Sequence, residues 1–246
     1  DPLCIQVAPY APSFFPRDSD DIPLTMAEQV QKAVDCYNAG ATVLHVHVRE
    51  MDGSGSKDLG KFNDMLDKLR HAVPKMILQV GGSISFAPKS EGEAALWLSD
   101  DTRHMLADLN PAPDQVTLAV NTNQMNVMEL ITEDDCAGTS MGEANYTEAY
   151  TEMYYEAGPQ FMKEHMKRLS AAGIQTHFMI GCTRDLETVE RLVRSGHYMG
   201  PLVLNWVAIG GGHDGPNPRN LMEFVNRMPQ NAVFTVEGLM RSVYPL

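Results

Sequence analysis

Short apolar runs alternate with stretches of helical spacing along almost the whole chain. The first run, Leu3-Cys4-Ile5-Gln6-Val7-Ala8, predicts a strand, and the Pro- and Asp-rich segment from Pro9 to Pro23 a loop. Thr25-Met26-Ala27-Glu28 has the S/T-x-x-E spacing in which hydroxyl and carboxylate each accept a backbone N–H, so a helix starts there. Ala33, Cys36 and Tyr37 continue its apolar face, and Gly40 ends it. The stretch Thr42-Val43-Leu44-His45-Val46-His47-Val48-Arg49-Glu50 then alternates apolar and polar residues, the period of a strand. Strand, helix and strand in succession make a βαβ unit.

The pattern repeats. Met51 to Lys57 is a Gly/Ser loop, and Phe62, Met65, Leu66 and Leu69 have helical spacing. Met76 to Val80 predicts a strand running into Gly81-Gly82-Ser83. Ser99-Asp100-Asp101 caps a helix carrying Met105, Leu106 and Leu109, and Gln115 to Val120 predicts a strand ending in Asn121-Thr122-Asn123. Glu129 to Asn145 is polar and irregular. Later units pair a helix over Phe161 to Ala172 with a strand over Thr176 to Ile180, and a helix over Asp185 to Arg194 with a strand over Leu202 to Ile209. Gly210-Gly211-Gly212-His213, a helix over Asn217 to Arg227 and a strand over Ala232 to Val236 follow.

Such alternation implies parallel strands and right-handed crossovers, and seven units point to an α/β fold of the TIM (β/α)8 barrel type, one domain over residues 1–246. A doubly wound sheet is the alternative, but no early G-x-G-x-x-G marks a dinucleotide site. The eighth strand is missing from the pattern: the chain reaches Tyr244-Pro245-Leu246 where the helix after strand seven should begin. The expectation is a C-terminally incomplete barrel, because an open one leaves two bare strand edges.

Charge narrows the function. A formal net charge of −13 and the lack of any Lys/Arg run argue against nucleic-acid binding. No stretch approaches a membrane span, and no signal-peptide pattern is visible. Cys4, Cys36, Cys136 and Cys182 are scattered, which disfavours a disulfide framework or a thiolate zinc site and suggests a reducing, cytoplasmic setting.

In a barrel the chemistry sits at the C-terminal ends of the strands, where the polar residues gather here. His45, His47 and Arg49 share one strand face, so the two imidazoles can reach one metal ion. Ser83 can donate to a carboxylate, and Asn121, Thr122 and Asn205 stand at later strand ends. Glu237 closes the seventh strand as a candidate base or metal ligand, although a helix-starting glutamate is an equal reading. His177 reads as a core histidine. The Gly210–Gly212 run reads as a flexible loop, and no nucleophile elbow or Cys/His pair favours acyl-enzyme chemistry.

The run Ala39-Gly40-Ala41 followed by His45-Val46-His47-Val48-Arg49-Glu50 resembles the β-keto acid cleavage enzymes, with support from Gly81-Gly82, Leu202-Val203-Leu204-Asn205 and Val236-Glu237-Gly238-Leu239-Met240-Arg241. The resemblance covers the whole chain. It implies a zinc-dependent TIM barrel that condenses a β-keto acid with acetyl-CoA and releases acetoacetate and a new CoA thioester. It also implies Zn²⁺ held by His45 and His47, polar contacts at or near Ser83 and Thr122, and a homotetramer. The family's Gly-Leu-Glu-Asp motif and the arginine before it would follow residue 246. Ala8-Pro9-Tyr10 and Thr176-His177-Phe178 depart from the family pattern. Two other functions compete: a metal-dependent hydrolase of the amidohydrolase type, and a non-catalytic metal- or acid-binding barrel.

Overall fold

The computed structural model describes residues 3–10, 14–84, 86–238 and 246. In chain order its elements are β1 (Gln6–Val7), α1 (Met26–Asn38), β2 (Val43–Val46), α2 (Leu59–Ala72), β3 (Ile77–Val80), β4 (Phe86–Ala87), β5 (Leu96–Trp97), α3 (Asp100–His104), β6 (Gln115–Ala119) and β7 (Asn123–Met125). Then come α4 (Glu133–Cys136), α5 (Ala144–Thr151), β8 (Met153–Tyr155), α6 (Pro159–Ala171), β9 (Gln175–Ile180), α7 (Leu186–Arg194), β10 (Val203–Val207), α8 (Pro218–Arg227) and β11 (Val233–Glu237).

Seven strands form one parallel sheet in the order β1-β2-β3-β6-β9-β10-β11, a nearly closed barrel. These are the seven strands expected. Among the described residues no eighth parallel strand joins them, and the expected start of a further helix at 244–246, like the Leu239-Met240-Arg241 motif, falls largely outside those residues.

The local signals act as expected. Thr25 Oγ1 accepts from the Glu28 N–H at 3.2 Å, and Glu28 Oε2 accepts from the Thr25 N–H at 2.8 Å, closing the capping box of α1. Gly40 takes φ +105°, a left-handed turn that reverses the chain into β2. The helix expected over Met105 to Leu109 is instead α3 followed by a 3-10 turn at Met105–Asp108, and Pro111 and Pro113 prevent its extension.

Two apolar clusters hold the structure. One joins β2 and β3 to α1 and α2 through Leu44, Val46, Phe62, Leu66 and Leu78. The other joins β6, β9 and β10 to α6, α7 and α8 through Leu118, Phe178, Trp206, Val189 and Phe224.

One feature was not expected. The segments after β3 and β6, to which the sequence pattern assigned no strands, supply a second sheet of four short strands in the order β4-β5-β8-β7, on either side of the polar stretch Glu129 to Asn145. Its strands have two or three residues, too few for periodicity to register, and they pair over long sequence separations.

Candidate active site

The barrel strands alternate with period two, so every second side chain faces the interior. His45 is in register with Gln79, Gln79 with Gln115, and Gln115 with Gln175, placing four polar side chains in one layer. They are bonded in sequence. His45 Nδ1 is 2.7 Å from Gln79 Oε1, Gln79 Nε2 donates to Gln115 Oε1 at 2.9 Å, and Gln115 Nε2 donates to Gln175 Oε1 at 3.4 Å. Gln6 Nε2 also donates to Gln79 Oε1, at 3.2 Å, and Gln79 Nε2 lies 2.9 Å from His177 Nδ1. The run of amides ends on the Pro201 carbonyl, to which Gln175 Nε2 donates at 3.5 Å, so each amide nitrogen points the same way round and Gln79 Oε1 is left to accept. That orientation requires the proton of His45 on Nδ1 and leaves Nε2 with its lone pair free.

His45 Nε2 points at His47 Nε2, 3.1 Å away. Two nitrogens bound to one tetrahedral Zn²⁺ at about 2.0–2.1 Å stand roughly 3.3 Å apart. Burial, and then the neighbouring His45, push the His47 imidazolium down to about 3, so the ring is neutral at ordinary pH. Its Nδ1 is buried without a well-formed hydrogen bond, with only the Ile84 backbone favouring the protonated form. Gly81 leaves room for the pair: a Cβ there would stand 2.5 Å from His47 Cε1 and 3.2 Å from His45 Nε2. The donor set therefore fits one half of a metal site. Among the described residues no third His, Cys, Asp or Glu completes it.

The histidines line a cavity of about 400 Å³ at the barrel mouth, in the usual range for a small-molecule site. Ser83, Asn205 and Glu237 also line it, as expected. Asn205 Nδ2 donates to Glu237 Oε2 at 2.5 Å, and Thr235 Oγ1 donates to Asn205 Oδ1 at 2.9 Å, so the carboxylate is held by its neighbouring strand.

Three expected site residues turn elsewhere. Arg49 lies beyond the end of β2, where alternation no longer governs direction, and its Nη1 donates to the Gly53 carbonyl at 2.7 Å. Asn121 takes φ +68°, which breaks the strand, and its Nδ2 donates to Asp185 Oδ1 at 2.7 Å. Thr122 Oγ1 accepts from the Ala157 N–H at 3.0 Å. None of the three lines the cavity.

Other lining residues escaped the sequence reading. The Gly210–Gly212 run, expected to be merely flexible, carries His213 to the cavity, where Tyr155 Oη is 2.7 Å from its Nε2. Gly181 makes space for that ring, since a Cβ there would stand 2.5 Å from His213 Nε2. Burial pushes the His213 imidazolium down to about 4 and holds the Tyr155 phenol above its usual range. Gln79 had a readable signal, its parity with Gly81 and Ser83 on one strand. His213 and Tyr155 had none, because loops bring them in.

A nearly closed parallel barrel with paired histidines at one strand's C-terminal end defines a TIM-barrel protein with its site at the mouth. The fold agrees with solved structures: the complex of ObcA with oxaloacetate superposes with a TM-score of 0.59 at 12% identity, over 87% of this chain and 51% of that one. Residues 2–246 match the β-keto acid cleavage enzyme family, and the chain belongs to it. It is 24% identical over 226 residues to the 3-keto-5-aminohexanoate cleavage enzyme of Acetoanaerobium sticklandii, covering 92% of this chain and 70% of the relative. It is 36% identical over 77 residues to the 3-oxoadipate:acetyl-CoA acetyltransferase of Cupriavidus necator, covering 31% of this chain and 27% of the relative. The chain thus spans about half the length of ObcA and 27–70% of these relatives in the matched segments.

Proposed function

We propose that this barrel cleaves a β-keto acid with acetyl-CoA as partner. In that reaction R–CO–CH2–COO⁻ and acetyl-CoA become R–CO–S–CoA and acetoacetate, so every carbon and the thiol are accounted for. One observation carries the reading: two imidazole Nε2 atoms converge at 3.1 Å beneath Gly81, inside the mouth cavity.

His45 and His47 would hold a divalent metal, with Zn²⁺ the proposed ion, because two neutral imidazoles suit it. When bound, such a Lewis acid stabilises negative charge on the oxygen of a ketone. Gln79 keeps His45 in the ligating tautomer, as carboxylates and amides behind metal-bound histidines commonly do. In this reading the Ser83 hydroxyl would donate to the substrate carboxylate, Asn205 would orient a substrate oxygen, and Glu237 would accept or return a proton; all three line the cavity.

The amidohydrolase alternative needs a histidine from a later strand beside the pair. His177 is the one available on β9, but its Nδ1 is engaged by Gln79 and it does not line the cavity. One barrel domain assembled as a cytoplasmic homotetramer, acting on small molecules, completes the proposal. No described helix is long and apolar enough to cross a membrane.

The test is direct. The protein is incubated with acetyl-CoA and β-keto acids, and the new thioester is followed by mass. Metal content is measured alongside. Zinc-dependent thioester formation that disappears in His45→Ala/His47→Ala supports the reading. Thioester formation unchanged by that substitution overturns the metal assignment, and hydrolysis without thioester overturns the reaction.

A further inference from the structure

Two chemistries line the one cavity. The polar part comes from the barrel strands: His45 and His47, Ser83, Asn205 and Glu237. The rest comes largely from the second sheet and its flanks, through Trp97, Met125, Tyr150, Met153, Tyr155 and Ile209. Trp97 and Tyr155 stack on each other at 4.8 Å between centroids and 27° between planes, which makes one flat apolar surface. Met125, Tyr150, Met153, Tyr155 and Ile209 belong to the same buried apolar cluster.

Two of the polar atoms that intrude into this wall satisfy each other, since the Tyr155 hydroxyl lies 2.7 Å from His213 Nε2, while Trp97 Nε1 is buried without a hydrogen-bond partner among the described residues. With the His213 ring neutral, the pair presents no net charge. Among the described lining residues Glu237 is the sole carboxylate, and no lysine or arginine is present. Glu237 is on β11 and held by Asn205 of β10, in the polar part.

We propose that the second sheet is a specificity wall, and that the β-keto acid taken by this protein has an uncharged, apolar tail, aliphatic or aromatic. The assignment rests on the cleavage reading above, which places the keto and carboxylate groups at the polar part. A tail that continues along the wall then meets mainly carbon, thioether sulfur and aromatic faces, with the Tyr155–His213 pair and Trp97 Nε1 as its polar contacts among the described residues. Each methylene buried there strengthens binding about fourfold. An ammonium or carboxylate tail would lose its water without gaining a counter-charge, a difference of about 100-fold or more. The pantetheine arm of CoA is a poorer occupant, because its two amides need more hydrogen-bonding partners than Trp97 Nε1 and the Tyr155–His213 pair supply.

Two measurements test this, the second of them independent of turnover. First, kcat/KM with acetyl-CoA is compared for 3-oxohexanoate and 3-oxooctanoate, whose tails are neutral, against 3-oxoadipate and 3-keto-5-aminohexanoate, whose tails are charged. Second, calorimetry compares binding of the corresponding 3-hydroxy acids, which carry the same tails and cannot be cleaved. Neutral tails favoured by about 100-fold in either measurement, with the longer one better, support the wall. Charged tails favoured or equal overturn it even where turnover is robust. Absent turnover with a retained neutral-tail preference in calorimetry overturns the cleavage reading and leaves the wall standing. Met153→Lys should shift the ranking toward 3-oxoadipate about 10-fold or more, and Ile209→Lys does the same from the barrel side. Folded lysine variants, checked by circular dichroism, that leave the ranking unchanged also overturn the wall.

Discussion

Gln79 Oε1 lies 2.7 Å from His45 Nδ1, and this contact decides which nitrogen of His45 faces the cavity. The Gln79 nitrogen is committed to Gln115 Oε1, and the amide run continues through Gln175 to the Pro201 carbonyl, so the oxygen is the atom that faces His45. Replacing Gln79 with Ala removes the tautomer constraint and leaves His177 Nδ1 and Gln115 Oε1 without their donor. The expected outcome is a 10–100-fold loss of metal affinity. Stability falls as well, by about 1–3 kcal/mol. Gln79→Glu should retain most of the affinity, since a carboxylate also accepts from Nδ1–H. Metal titration by calorimetry, with a denaturant melt for each variant, checks both parts.

Gly81 is needed for space. Its backbone conformation is ordinary, so Gly81→Ala is tolerated by the chain but not by the His47 ring 2.5 Å away. Loss of metal binding with only a modest fall in thermal stability is expected. Unchanged zinc content in Gly81→Ala would show that the ring has another position available.

Metal removal should be legible in stability. A ligand that binds only the folded state stabilises by about 2.7 kcal/mol at 100 times its Kd. Stripping the metal with a chelator is expected to lower the Tm of the unaltered protein and to leave that of His45→Ala/His47→Ala where it was. Equal responses in the two proteins would place the metal elsewhere.

Acid should weaken the fold through a pair of histidines remote from the cavity. His165 on α6 is fully buried, its Nδ1 3.1 Å from the Nδ1 of His104, and burial followed by His104 pushes it down to about 3. Its folded value lies below its unfolded one of 6.5, so between the two the unfolded chain holds the extra proton. The stability it contributes is complete above pH 6.5 and declines as pH falls toward 3. The slope is about 1.4 kcal/mol per pH unit for one such group. Denaturant melts between about pH 7 and 5 should show a steeper slope, because His47, His177 and His213 are lowered as well, and His165→Leu should flatten it by about one group's share. The same slope in the variant would assign the proton uptake to other residues.

Alternation along the strands, by itself, determined the barrel and half of its site. Parallel strands of period two send Gln6, His45, His47, Gln79, Gly81, Thr117, Met179, Asn205 and Glu237 into one interior, and that parity is a local property of each strand. The caps of α1 and the turn at Gly40 are equally local, because their hydrogen bonds span three or four residues. Parity carries one residue past a strand's end, as at His47 and Gly81, and then ceases. Past Val46 and Ala119 the directions of Arg49, Asn121 and Thr122 are set by a turn carbonyl, a neighbouring loop's carboxylate and the N–H of Ala157, none of which the local sequence announces. The remaining wall of the cavity depends wholly on long-range pairing. Phe86–Ala87 meets Leu96–Trp97, Leu96 meets Tyr154, and Asn123–Met125 meets Met153–Tyr155. Strands of two or three residues are too short to form alone, so only packing over the finished barrel decides that Trp97, Tyr155 and His213 face the cavity.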